Sequence, residues 1–66
     1  PMKLVVNGEA REVAADTLAA LLSELDYAGN WLATALNGDV VPAAARANCR
    51  LAEGDRIEIL APMKGG

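Results

Sequence analysis

In KLVVNGEAREV an apolar run, Leu4 to Val6, and a mixed polar and apolar run, Glu9 to Val13, flank Asn7-Gly8. Successive side chains of a strand point to opposite faces, so Leu4 and Val6 share one face and Val13 continues it near the end of a second strand. A two-residue turn of the primed type needs positive φ at both central positions, which Asn-Gly tolerates best, so a β-hairpin is predicted here. Glu9, Arg11 and Glu12 suit a solvated sheet edge.

The period then changes. In ADTLAALLSELDYAG, Leu18, Leu21, Leu22 and Leu25 recur at the spacing that lines one face of a helix, and that leucine stripe predicts packing against a sheet. Asp16 or Thr17 can cap the helix start, and Gly29 is placed to end the segment. WLATALNGDVV returns to alternation from Leu32 to Leu36, meets a second Asn-Gly at Asn37-Gly38 and continues to Val40 and Val41. This predicts a third strand, a turn and a short fourth strand. Pro42 blocks further pairing, and AAARANCR reads as an alanine-rich connector with room for one helical turn, after which Leu51 returns toward the core. Glu53 to Asp55 make a turn, and RIEIL from Arg56 to Leu60 is the last strand, with Ile57 and Ile59 inward and Glu58 outward.

One helix must then cover one sheet, which makes the fold α+β: a mixed sheet of about four to five strands under one main helix. A hairpin, a right-handed crossover helix and a return strand put some strands in parallel and define the β-grasp arrangement. Residues 1–66 are expected to form a single domain, with residues 61–66 as a flexible C-terminal tail. The sheet face away from the helix is left uncovered, either as a docking surface or as a merely polar, wetted face.

Length and composition narrow this further. A chain of 66 residues has room for one core, and with no Phe, one Trp and one Tyr that core must be small and aliphatic. Six Lys and Arg against nine Asp and Glu give a net charge of −3, and the basic residues are scattered, so nucleic acid is not an expected partner. The single cysteine, Cys49, excludes an intramolecular disulfide. No apolar run approaches the ~20 residues of a membrane span, and the N-terminus lacks the pattern of a signal peptide. A cytoplasmic protein that does not bind membranes is expected, with Met2 as its natural start.

The chemistry available to the folded domain is limited. There is no histidine, which removes the commonest general base and metal ligand. One cysteine cannot build a thiolate metal site, and Asp39, Glu53 and Asp55 lie where carboxylates serve turns, so no metal site is expected. Gly8, Gly29, Gly38 and Gly54 are isolated and form no phosphate loop. Cys49 has only Arg46 and Arg50 nearby to activate it and reads as a small structural residue.

What remains is APMKGG. A carboxylate is a poor electrophile, so a terminal Gly66 carboxylate would react only after conversion to a mixed anhydride such as an acyl-adenylate, with ATP supplied by a partner enzyme that excludes water. A tail of two glycines can thread a narrow channel and adopt φ values closed to other residues. Leu60, Pro62 and Met63 are the apolar residues nearest the tail and are expected to face a partner, because Leu60 alternates away from Ile57 and Ile59.

ALNGDVVP and LAEGDRIEILAPMKGG closely resemble the ThiS family, small ubiquitin-like β-grasp sulfur carriers of thiamin biosynthesis, and the hairpin and leucine helix also fit. The resemblance implies a protein cosubstrate and not an enzyme. It implies that Gly66 is adenylated by a ThiF-like adenylyltransferase and converted to a thiocarboxylate with a sulfur-donating enzyme, and that a ThiG-like thiazole synthase takes the sulfur. Gly65, Lys64 and Met63 would lie in the activating enzyme's channel. The carrier would bind no cofactor of its own, ATP and magnesium coming through the activating enzyme. AAARANCR and Trp31 depart from the family pattern, where a proline-led connector and a smaller residue are expected. The alternatives are a MoaD-like sulfur carrier for molybdopterin synthesis, a ubiquitin-like modifier, and a β-grasp binding module whose tail does nothing.

Overall fold

A computed structural model of the chain describes residues 1–27 and 31–61. The elements are β1 (Met2–Val6), β2 (Glu9–Val13), α1 (Leu18–Glu24), β3 (Ala33–Leu36), β4 (Asp39–Val41), a 3-10 helix (Ala43–Asn48) and β5 (Arg56–Leu60). They form one five-stranded sheet in the order β2-β1-β5-β3-β4, antiparallel except where β1 and β5 run parallel. This is the predicted β-grasp. Among the described residues no helix is long and apolar enough to cross a membrane.

Both hairpins turn on left-handed backbone: φ is +49° at Asn7 and +84° at Gly8, then +51° at Asn37 and +89° at Gly38. Positive φ at both central residues matches the turn to the right-handed twist of its strands. The alternation that follows is as expected, with Leu4, Val6, Ile57 and Ile59 buried on the helix side. Leu18, Leu21 and Leu22 of α1 complete the core, and Leu25 packs against it half-buried. Burying each such side chain stabilises the fold by about 1.5–3 kcal/mol, so a small aliphatic core suffices.

Of the two candidate caps, Thr17 is the one used: its Oγ1 accepts a hydrogen bond from the Ala20 N–H at 3.2 Å. Gly29, the predicted stop, lies outside the described residues, and the helix closes earlier, at Asp26, whose φ is +66°. There the Asp26 N–H donates to the Ser23 carbonyl at 3.1 Å and the Tyr27 N–H to the Leu22 carbonyl at 2.8 Å. These two bonds satisfy the last carbonyls, and a left-handed aspartate takes the place usually held by glycine. The Glu24 carboxylate then reaches back to accept from the Ala14 and Ala15 N–H groups, at 3.1 and 2.9 Å, and ties the β2–α1 connection to the end of the helix.

The alanine-rich connector is more regular than one helical turn, a six-residue 3-10 helix lying against α1. Backbone bonds from the Leu18 N–H to the Cys49 carbonyl and from the Leu51 N–H to the Asp16 carbonyl, each 2.9 Å, fasten its end to the start of α1. Arg46, one of the six basic residues scattered along the sequence, is only 6% exposed. Its Nε donates to Thr34 Oγ1 at 3.1 Å and its Nη2 to the Leu32 carbonyl.

Candidate functional site

The site read from sequence lies at the end of β5 and beyond it. Pro62, Met63, Lys64, Gly65 and Gly66 fall outside the described residues, so of the candidate residues only Leu60 has a described position. What the fold settles is how the chain is delivered to that point.

β5 runs in the middle of the sheet, between β1 and β3. On the β3 side it is paired along its length, from Leu36 opposite Ile57 to Ala33 opposite Leu60. On the β1 side the parallel pairing is short, covering only Val5 opposite Arg56 and Val6 opposite Ile57, because β1 turns away at Asn7. The side chain of Asn7 fills in for the missing strand. Its backbone N–H donates to the Ile57 carbonyl at 2.9 Å, its Oδ1 accepts from the Ile59 N–H at 2.8 Å, and its Nδ2 donates to the Ile59 carbonyl at 3.2 Å.

Asn37 does the same at the other end of β5. Its backbone N–H donates to the Arg56 carbonyl at 2.8 Å and its Oδ1 accepts from the Arg56 N–H at 2.9 Å. Its Nδ2 donates to Asp55 Oδ1 at 3.0 Å, while Asp55 Oδ2 accepts from the Ala52 N–H at 2.9 Å. The two asparagines chosen in the sequence for their positive φ therefore also grip the strand that carries the tail. Sequence reasoning missed this, since the Asn-Gly dipeptide has the same turn signature whether or not its amide reaches a distant strand.

The face of β5 opposite the helix presents Arg56, Glu58 and Leu60, all exposed. Register places Leu60 opposite Ala33, Glu58 opposite Ala35, and Ala35 in turn opposite Val40. Leu60 and Val40 are 75% and 79% exposed, and Ala33, Ala35, Glu58 and Leu60 line a shallow groove of ≈ 520 Å³ bounded by the Asn7-Gly8 turn. Trp31, just ahead of β3, is 67% exposed. The edge strand β2 carries Glu9, Arg11 and Glu12 in water as predicted.

Two of the three acidic side chains considered for metal binding are engaged elsewhere. Glu53 accepts from the Lys3 N–H at 3.0 Å and Asp55 serves the turn just described. Among the described residues no group of three or more His, Cys, Asp or Glu is placed to hold a metal ion. Cys49 is half-buried at the end of the 3-10 helix, and the Arg46 guanidinium is directed at β3.

Element order and register define the class: a small β-grasp domain of the ubiquitin-like kind, with its exit strand at the centre of the sheet. Residues 4–66 match the ThiS family, and the chain belongs to that family of sulfur carriers. It is similar to the crystal structure of the thiamine biosynthesis protein ThiS from Geobacter metallireducens, at 35% identity and a TM-score of 0.82 over 98% of this chain and 100% of that one. A solution structure of a thiamine biosynthesis protein from the same organism matches at 33% identity and a TM-score of 0.82, over 98% of this chain and 88% of that one. A thiazole synthase of Paramagnetospirillum magneticum is 41% identical over 98% of this chain, which spans 20% of that protein's length.

Proposed function

We propose that this chain carries sulfur for thiazole formation in thiamin biosynthesis, as a protein cosubstrate on which other enzymes act. The observation that carries this reading is the family match, which runs through the diglycine to Gly66. In this reading the working atom is the Gly66 carbonyl carbon.

The Gly66 carboxylate attacks the α-phosphorus of ATP in a ThiF-like enzyme, pyrophosphate leaves, and an acyl-adenylate forms. Magnesium in that enzyme offsets the phosphate charge. Sulfur at the sulfide level, delivered by a sulfur-donating enzyme, then attacks the carbonyl carbon and AMP leaves, giving a thiocarboxylate. Gly65, Lys64 and Met63 would lie in the activating enzyme's channel, where the side-chain-free backbone of Gly65 and Gly66 meets no obstruction. Pro62 and Leu60 would contact its mouth. A ThiG-like thiazole synthase receives the sulfur, a reading supported by the relative that bears the name thiazole synthase.

The test is intact-mass spectrometry after incubation with the ThiF-like enzyme, ATP and a sulfur donor. The chain is expected to gain the mass difference between sulfur and oxygen, and a chain lacking Gly66 is expected to keep its fold and gain nothing. An unchanged mass with an enzyme proven competent on its own carrier would overturn the proposal.

A further inference from the structure

We propose that the Asn7 side chain is a positioning residue for tail activation: by replacing the strand that β1 fails to supply, it fixes the direction in which the chain leaves the sheet. This rests on the carrier function proposed above.

The argument begins with where pairing stops. Past Ile57, β5 has no β1 partner among the described residues, yet it continues as a strand to Leu60. A strand edge with unpaired backbone groups would fray, but here a single carboxamide takes both the N–H and the carbonyl of Ile59. Those two groups belong to the peptide planes on either side of Ile59, so both planes are held just ahead of Leu60 and Ala61. From Ala61 to Gly66 an extended chain reaches about 17 Å. Stretched in a partner's channel, a tail that started about 20° off its course would carry its end about 6 Å away. Misplacement of a reacting carbon by about 1 Å already costs on the order of a hundredfold in rate.

Asn37 supplies an internal control. It holds β5 with the same chemistry at Arg56, remote from the exit. Asn7→Gly and Asn37→Gly each delete one carboxamide while keeping a residue that accepts positive φ, and Asn7→Asp keeps the acceptor but sets a carboxylate against the Ile59 carbonyl.

The experiment measures pyrophosphate release by the ThiF-like enzyme with each purified chain, alongside amide hydrogen exchange of the same chains alone. For Asn7→Gly and Asn7→Asp, kcat is expected to fall by about tenfold or more with KM held within about twofold, while Asn37→Gly keeps its kcat. Exchange at Ile59 should quicken by about tenfold or more in Asn7→Gly and not in Asn37→Gly. Parallel losses in the Asn7 and Asn37 variants, or an Asn7→Gly chain activated at the parent rate, would reduce Asn7 to a structural residue and leave the carrier function standing. A parent chain that releases no pyrophosphate would instead remove the carrier function, and the positioning role with it.

Discussion

The Arg46 guanidinium donates a 2.6 Å hydrogen bond to the carbonyl oxygen of Leu32, at the entry to β3. With its second bond to Thr34 Oγ1, which itself donates to the Val41 carbonyl at 2.8 Å, it couples the 3-10 helix to both strands at that edge of the sheet. Arg46→Met keeps the apolar stem and removes every donor, leaving a buried carbonyl unpaired. The expected loss is about 2–4 kcal/mol, a large share of the roughly 3–10 kcal/mol that holds a domain of this size. Arg46→Lys should recover little, since an ammonium cannot present the same planar fork. Urea unfolding of the three chains measures this, and equal midpoints would show that the buried guanidinium contributes nothing.

How much of this could be read from the chain follows from the distance over which each feature is determined. The hairpins, the leucine helix and the opposed faces of Ile57, Ile59 and Leu60 are set by neighbours two to four positions away, and periodicity exposes them. Arg46 finds its partners at Leu32 and Thr34 across the fold, and Asn7 reaches Ile59 fifty-two positions on. Nothing local to either residue announces such a partner. Glu24 is intermediate: its role in holding Ala14 and Ala15 depends on where the helix ends, and that end is set by Asp26. Of the site itself, the exposed position of Leu60 was legible as an alternation, whereas the tail residues 62–66 are known here by sequence and likeness alone.

Asp26 is in the left-handed region at +66° and stands just past the C-terminal end of a helix. Both features oppose an aspartate, through Cβ crowding and through the negative end of the helix dipole. Asp26→Gly relieves both while keeping the two closing bonds, which come from backbone. It should stabilise the chain by about 0.5–1 kcal/mol and raise Tm by about 3–6 °C. A lower Tm would mean that the Asp26 side chain makes a stabilising contact that outweighs them.

At Gly38 an added Cβ would meet no heavy atom within 4 Å, so the cost of a side chain there comes only from φ of +89°. Gly38→Ala should therefore destabilise by about 1–2 kcal/mol. A D-alanine at the same position, accessible by chemical synthesis of a chain this short, has the matching backbone preference and restricts the unfolded state. It should stabilise by about 0.4–1 kcal/mol. Thermal unfolding of the pair separates the two contributions, and a fall in Tm for both would point to a steric cost.

Leu60 tests whether the open face recognises the activating enzyme. Its side chain is exposed and sits opposite Ala33, so Leu60→Glu removes no core contact and should leave stability within about 0.5 kcal/mol. If the enzyme covers this face, a charge introduced there must be desolvated against apolar surface, next to Glu58. Affinity for the ThiF-like enzyme should then fall by about tenfold to a hundredfold. Calorimetric titration without ATP measures binding alone, and Glu12→Ala on the far edge strand is the control expected to bind as the parent does. In turnover the same variant should raise KM and, once saturated, recover most of kcat, the reverse of the pattern expected for Asn7. Unchanged affinity for Leu60→Glu would place recognition on another surface or on the tail itself, because an exposed leucine at a buried interface cannot become a carboxylate without cost.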